Sequence, residues 1–340
     1  MHTLFNSPSA KYNIASFGLP QEFLREITQI EPRKTALAIT STWLQIALLV
    51  GAGRLLMPSP IFWVAYVPLI FLIAGRQAAL LQLLHEAAHQ LLSKSPRVNA
   101  NLANWFCAYP IGLTFEGYAK GHVQHHQNTN TAKDPQADTE KYRVTDVRKP
   151  ELYRLLLKDL LGLTALQIFF TYKKDADDTF EKNGDGRQGK WRSFAALCAV
   201  QLALMTLFFR WNVAHYLLLW LIPAMSPHMF LMRIRGIAEH GLHRQLGVEV
   251  REAHEGAYYT RSFLTPQNTY GFAPVVWLEK MLIGSFAVYY HHEHHLVPNA
   301  PFYNLSKLHR RIAAEAAARN PEVYARGYFT AALRNILGKP

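Results

Sequence analysis

Four stretches of this chain, roughly residues 36–57, 59–84, 193–210 and 211–233, are apolar over lengths close to what a helix needs to cross a bilayer. The first two are separated by the Met57-Pro58-Ser59-Pro60 turn, and the second two meet near Arg210 and Trp211, where a charge beside an aromatic suits a membrane interface. The expected fold class is therefore all-α integral membrane, with four transmembrane helices in two hairpins. Each hairpin returns the chain to its starting side. The connectors inside the hairpins carry little charge, essentially Arg54 and Arg210, whereas the N-terminal segment, the 116–192 loop and the C-terminal third hold nearly all the Lys and Arg. By the positive-inside rule both termini and that loop are expected to be cytoplasmic. Residues 102–115 and 152–171 are apolar but too short or too mixed to span, and read as re-entrant or interfacial segments.

The averages hide this layout. A mean hydropathy of -0.04 and 18% charged residues look soluble because the charges are gathered between the apolar runs. The net charge of +12 fits cytoplasmic flanks facing anionic lipid headgroups. Nucleic-acid binding is set aside, since no basic helix with interleaved aromatics and no zinc-finger spacing accompanies the charge. Cys107 and Cys198 are the only cysteines, so neither a disulfide framework nor an iron–sulfur centre can be assembled, and any electrons must come from elsewhere. The N-terminus lacks the features of a secretory signal, so the first apolar segment is expected to be retained. Residues 182–190 read as a turn-rich surface segment, and the stretch from Asn304 as an amphipathic helix followed by a second short helix after Pro321.

Of the 16 histidines, nine fall into a pattern. In HEAAH, His85 and His89 are four apart at the end of the second apolar run and share one face of a helix. In HVQHH, His122, His125 and His126 collect three imidazoles on one face, and His291, His294 and His295 of HHEHH repeat that spacing. His292 and Glu293 should point away from the shared face. Neutral imidazole is the commonest ligand for iron or zinc. One zinc uses three or four protein ligands, so eight histidines overfill one ion and suit two. The ninth is assigned to His240, which directly follows the last apolar run at the same level. Glu86, Asp134, Asp138, Glu239 and Glu293 lie beside the clusters and are candidates to accept the other ring N–H of a ligating histidine.

HEAAH, HVQHH and HHEHH, each placed after an apolar hairpin or in the loop between, resemble the membrane fatty-acid desaturase and hydroxylase superfamily. Ala238-Glu239-His240-Gly241, Thr260, Arg261 and residues 291–309 are similar to its C-terminal region, so the resemblance covers about residues 60–310. In the first box Glu86, Ala87 and Ala88 separate the histidines and Gln90 follows, a departure from the commoner small or glycine-containing forms. Together with the apolar runs, which begin at residue 36, the resemblance gives an expected desaturase-like membrane domain over 36–310, flanked by an N-terminal cytoplasmic segment (1–35) and a C-terminal cytoplasmic helical tail (311–340). It implies a cytoplasmic helical cap in which His85, His89, His122, His125, His126, His240, His291, His294 and His295 hold two irons, reached by a hydrophobic substrate tunnel.

The activity implied by the resemblance is O2-dependent attack on an unactivated C–H bond, introducing a double bond into a fatty acyl chain or similar lipid. A separate ferredoxin-like or cytochrome-like donor is expected to dock on the basic cytoplasmic surface, because the chain carries no electron-transfer segment of its own. The same scaffold is also compatible with a hydroxylase, ketolase or oxidative decarboxylase acting on a fatty acid, carotenoid or other apolar molecule. From a different class, a zinc-dependent membrane hydrolase is the rival. A metal transporter would carry ionisable residues near mid-bilayer, which this reading does not find in the spans.

Overall fold

The computed structural model describes residues 13–135, 149–168, 186–263 and 273–337. These residues are mostly helical. In chain order the elements used below are α1 (Gln21–Ile27), α2 (Pro32–Leu56), α3 (Ile61–Ala88), α4 (Pro96–Ala103), α5 (Phe115–Asn128), α6 (Lys149–Leu160) and α7 (Gly186–Leu207). They continue with the helical run α8 (Val213–His240), then α9 (Leu242–Gln245), strand β1 (Ser262–Phe263), α10 (Ala273–Leu282), α11 (His291–Leu296), α12 (Leu305–Arg319), strand β2 (Tyr324–Ala325) and α13 (Tyr328–Leu337).

Three helical runs are long and apolar enough to cross a membrane: Gln21–Leu56, which contains α1 and α2, Ile61–Ala88 and Val213–His240. The expected stretch at 193–210 falls in α7, whose apolar part, Trp191–Leu207, is shorter than the other three. The helices also overrun the apolar limits read from sequence, because hydrogen bonding continues wherever propensity allows, whatever the polarity of the side chains. Thus α3 continues through His85 and α8 through His240. The surface turn expected at 182–190 is replaced by helix from Gly186 onward, and its earlier residues lie outside the described ones.

The chain divides into two compact units. One consists of Pro32–Lys120 and Tyr153–Leu231. Here Pro32 sets the first φ of α2, and Pro58 cannot continue it, so the helix ends at Leu56. From Ile73 to Leu80 every residue of α3 is buried, as expected of a helix apolar nearly all round. Its core joins Ile46, Val50, Phe62, Leu69, Ile73 and Leu80 to Leu204, Phe209, Leu219 and Trp220. Close approach is made at Gly53, where a Cβ would meet the Leu219 and Leu69 methyls at 2.9 Å. Arg76 corrects one expectation: an ionisable residue does sit near the middle of α3, buried, with its guanidinium 2.9 Å from Gln45 Oε1. Between α7 and α8 the chain turns through Arg210 (φ 48°) and Trp211 (φ 61°), both left-handed, and Asn212 caps the next helix through His215 N–H at 3.0 Å. The segments 102–115 and 152–168 form short helices, and residues 169–171 lie outside the described ones.

The other unit is drawn from Met1–Glu31, Gly121–Leu152 and Met232–Pro340. Its core packs Phe17, Ile27, Tyr290, Leu296 and Val297 against Leu305, Leu308, Ile312 and Ala316 of the amphipathic α12. The N-terminal segment is tied to that helix: Asn304 Nδ2 donates to Ile27 O at 2.9 Å, and the Arg319 guanidinium lies 4.4 Å from the Phe17 ring centre. β1 and β2 pair in parallel, Ser262 with Tyr324 and Phe263 with Ala325. The expected tail helices are present as α12 and α13.

Candidate metal centre

The second histidine cluster lies in the last turns of α5, whose start is fixed by Asn104 Oδ1 accepting from Phe115 N–H at 2.8 Å. The third is α11 itself, and His240 ends α8. Within the unit that holds all three, seven of the nine predicted ligands converge. One nitrogen each of His125, His240 and His295 lies within 4.8 Å of the others, and the same holds for His122, His126 and His294. His291 Nε2 is 2.8 Å from His240 Nε2, and His294 Nε2 is 3.1 Å from His126 Nε2. The His295 ring stands among those of His126 (4.3 Å between centres), His291 (4.5 Å), His125 and His240 (both 5.2 Å). Burial first, and then the neighbouring rings, hold His295 well below the usual histidine range, so it is neutral and able to offer a lone pair.

The partners of these rings decide which nitrogen faces inward. Asp134, buried, has both carboxylate oxygens 3.0 Å from His125 Nδ1. A carboxylate only accepts, so Nδ1 carries the proton and Nε2 the lone pair. The Thr129 hydroxyl gives its single proton to the His125 carbonyl at 2.9 Å, so toward His295 Nδ1, 3.4 Å away, it acts as acceptor. That leaves His295 Nε2 a buried nitrogen with no hydrogen-bond partner among the described residues. Lone pairs directed at one another in a buried pocket repel unless a cation lies between them, and an all-nitrogen set suits iron or zinc. The residues fit a bound metal.

His85 and His89 belong to the other unit. They stand at the C-terminal end of α3 with ring centres 5.3 Å apart, and His85 Nδ1 lies 3.0 Å from the amide of Gln82, one helical turn earlier. Their shared face is as the spacing predicts.

Among the acidic candidates, Asp134 makes the expected contact. Glu239 approaches His291 Nδ1 at 3.6 Å and is held by Arg235 Nε at 2.8 Å, while Glu86 lies 3.8 Å from His85 Nδ1. Asp138 is outside the described residues. Glu293 contacts no candidate ligand: its buried carboxylate accepts from Ser262 Oγ, from His309 Nδ1 at 2.6 Å and from Tyr324 Oη at 2.9 Å. Burial alone would raise this carboxyl, but the His309 bond and charge, with His292 and Ser262, outweigh it and hold it below the usual range. His292 points away from the ligand face, as expected. Its Nδ1 is 3.1 Å from the Thr260 hydroxyl, and burial pushes its pKa down to about 4. Sequence reasoning missed Thr129, Gln82 and His309. Gln82 sits one turn before His85 on α3 and Thr129 four residues after His125, just past the end of α5, both legible spacings; His309 gives no local signal.

Residues 61–327 match the family described as Fatty acid desaturase. A curated relative, dihydrorhizobitoxine desaturase of Bradyrhizobium elkanii, is 25% identical over 315 residues, covering 88% of this chain and 81% of the relative. With three membrane-length apolar helices, buried histidine clusters and a match over most of its length, this chain belongs to the fatty acid desaturase family and is a desaturase-like membrane oxidoreductase.

Proposed function

We propose that the chain is an O2-dependent, di-iron membrane desaturase that introduces a double bond into a fatty acyl chain or similar lipid. The observation that carries the reading is the convergence of imidazole nitrogens around His295, with one Nε2 left buried and unmatched. In this reading His122, His125, His126, His240, His291, His294 and His295, together with His85 and His89, hold two irons. Iron bound there supplies the redox chemistry by which O2 takes hydrogen from an unactivated C–H bond, which side chains cannot do alone. The chain's own residues do the rest. Asp134 and Thr129 fix ring tautomers, Arg235 and Glu239 brace the end of α8, and burial excludes water from the reacting centre. Overall, a saturated two-carbon unit loses two hydrogens, and O2 with two electrons and two protons becomes two waters. A separate ferredoxin-like or cytochrome-like donor supplies the electrons, docking on a basic face that carries both termini on the cytoplasmic side. Four spans in two hairpins, with α7 as the short one, complete the arrangement.

The test is mass spectrometry of lipids from cells expressing the wild type or His125→Ala, with metal counting on both proteins. New unsaturation and about two irons in the wild type alone are expected from a two-ion site. One zinc per chain, with activity indifferent to O2, overturns the reading. A second reading is favoured by the relative's name, dihydrorhizobitoxine desaturase: the same chemistry acting on a substrate other than an acyl lipid. Unchanged lipids with iron present would move the reading there, or to hydroxylation, ketolation or oxidative decarboxylation.

A further inference from the structure

We propose that Glu293 is the positioning residue of the third histidine cluster, acting through a buried anchor of His309, Tyr324 and Ser262 on the back of α11. The inference rests on the metal-centre reading above and adds how the ligands are aimed. α11 has six residues, about 9 Å of helix, too short to be stable or to fix its own rotation in isolation. His291, His294 and His295 occupy one side. Glu293 occupies the other, fully buried.

Three elements converge on its carboxylate. His309 comes from α12, Tyr324 from β2 and Ser262 from β1, at the contacts given above. Ser262 acts twice: it donates to Glu293 and its Oγ accepts the His292 backbone N–H at 2.9 Å. His292 adds its ring contact with Thr260. The short helix is thus bolted from behind at two successive residues. A turn of α11 about its axis that moved the ligand rings would have to break charge-assisted hydrogen bonds in a buried site. Glutamine at 293 has nearly the same shape but presents an N–H2 where every neighbour donates, so one donor must be left unmatched.

The test uses the full chain in detergent micelles, titrated with Co2+ alone and followed by the visible d–d band. Glu293→Gln is expected to weaken Co2+ binding by about 10–100-fold and to shift the band at saturation, the range found for outer partners of metal ligands. His309→Gln, which keeps an N–H donor, is expected to stay near the wild type, whereas His309→Leu, which fills similar space but has no donor, behaves like Glu293→Gln. This pair also decides the matter if Glu293→Gln fails to fold, because a merely space-filling role would not separate glutamine from leucine. Wild-type affinity and band in Glu293→Gln, or equal effects of the two His309 variants, overturn the proposal. His295→Ala separates the two levels of inference. If it retains full Co2+ binding, the metal-centre reading falls and this proposal with it; if it loses binding while Glu293→Gln does not, only the anchor is wrong.

Discussion

Replacing Asp134 with Asn tests how far the second cluster depends on its outer partner. The carboxylate lies at 3.0 Å from His125 Nδ1 through both oxygens and also accepts the Asn130 backbone N–H at 2.9 Å, in a side chain with no exposure. Asparagine keeps one acceptor and puts an amide donor in place of the other, so one of two buried donors loses its partner, at about 1–3 kcal/mol. In the metal-loaded protein the same change frees the His125 tautomer and ring angle, which costs about 10–100-fold in metal affinity, or roughly 1.4–2.7 kcal/mol. Thermal unfolding of the metal-free protein in detergent reads the first quantity, and chelator competition with Fe2+ the second. The two losses should appear together in Asp134→Asn, while Asp134→Glu partly restores affinity by returning the charge. Metal affinity within twofold of the wild type, with a clear loss of thermal stability, would refute the argument that Asp134 orients a ligand.

Other expectations follow from close contacts and burial. Gly256→Ala would place a Cβ 2.5 Å from Thr129 O and 2.7 Å from Thr129 Cβ, so it should destabilise the protein by about 1–3 kcal/mol and lower metal content in parallel, read by thermal unfolding and elemental analysis. Gly53→Val should lower the unfolding temperature in detergent by overpacking against Leu219 and Leu69, at about 1–3 kcal/mol, whereas Gly53→Ala, meeting only flexible methyls, should be milder. Burial raises the Glu279 carboxyl above its ordinary 4.5, against the opposing backbone N–H groups of Phe329 and Tyr328. Because the folded value is raised, the stability tied to its protonated form is present below 4.5 and is lost as pH rises through the raised value. Glu279→Gln should therefore gain stability relative to the wild type between pH 4.5 and neutrality in pH-dependent thermal scans, and a parallel pH dependence of the two proteins would refute this.

What could be read from sequence was whatever is local. Long apolar runs located α2, α3 and α8, since burial demands depend on a window of neighbours, and i, i+3, i+4 spacing put the histidines on shared faces before any fold was known. Helix ends were less legible, because α3 and α8 continue into their histidines once packing supports a polar final turn. Arg76 was in plain view and overlooked, since a single charge barely changes the hydropathy of the run around it. The end of α7 was also less legible: the apolar stretch runs on to 210, but the helix stops at Leu207, before the turn through the left-handed Arg210 and Trp211.

The candidate site divides the same way, and for a chemical reason. Sequence spacing can say that imidazoles share a face, but a neutral imidazole offers a metal only one of its two nitrogens, and the group on the other nitrogen makes that choice. For His125 that group is nine residues along the chain, and for His295 it is Thr129, 166 residues earlier. The hydroxyl of Thr129 links the two choices, since donating to the His125 carbonyl is what obliges it to accept from His295. Candidate ligands are thus legible in helical periodicity, whereas the nitrogen each would present depends on contacts made on folding, Asp134 returning to His125 and Thr129 meeting His295. Substitutions at Thr129, Asp134 and Glu293 should accordingly keep every histidine of the sequence and still, by re-aiming the rings, change what the histidines can hold.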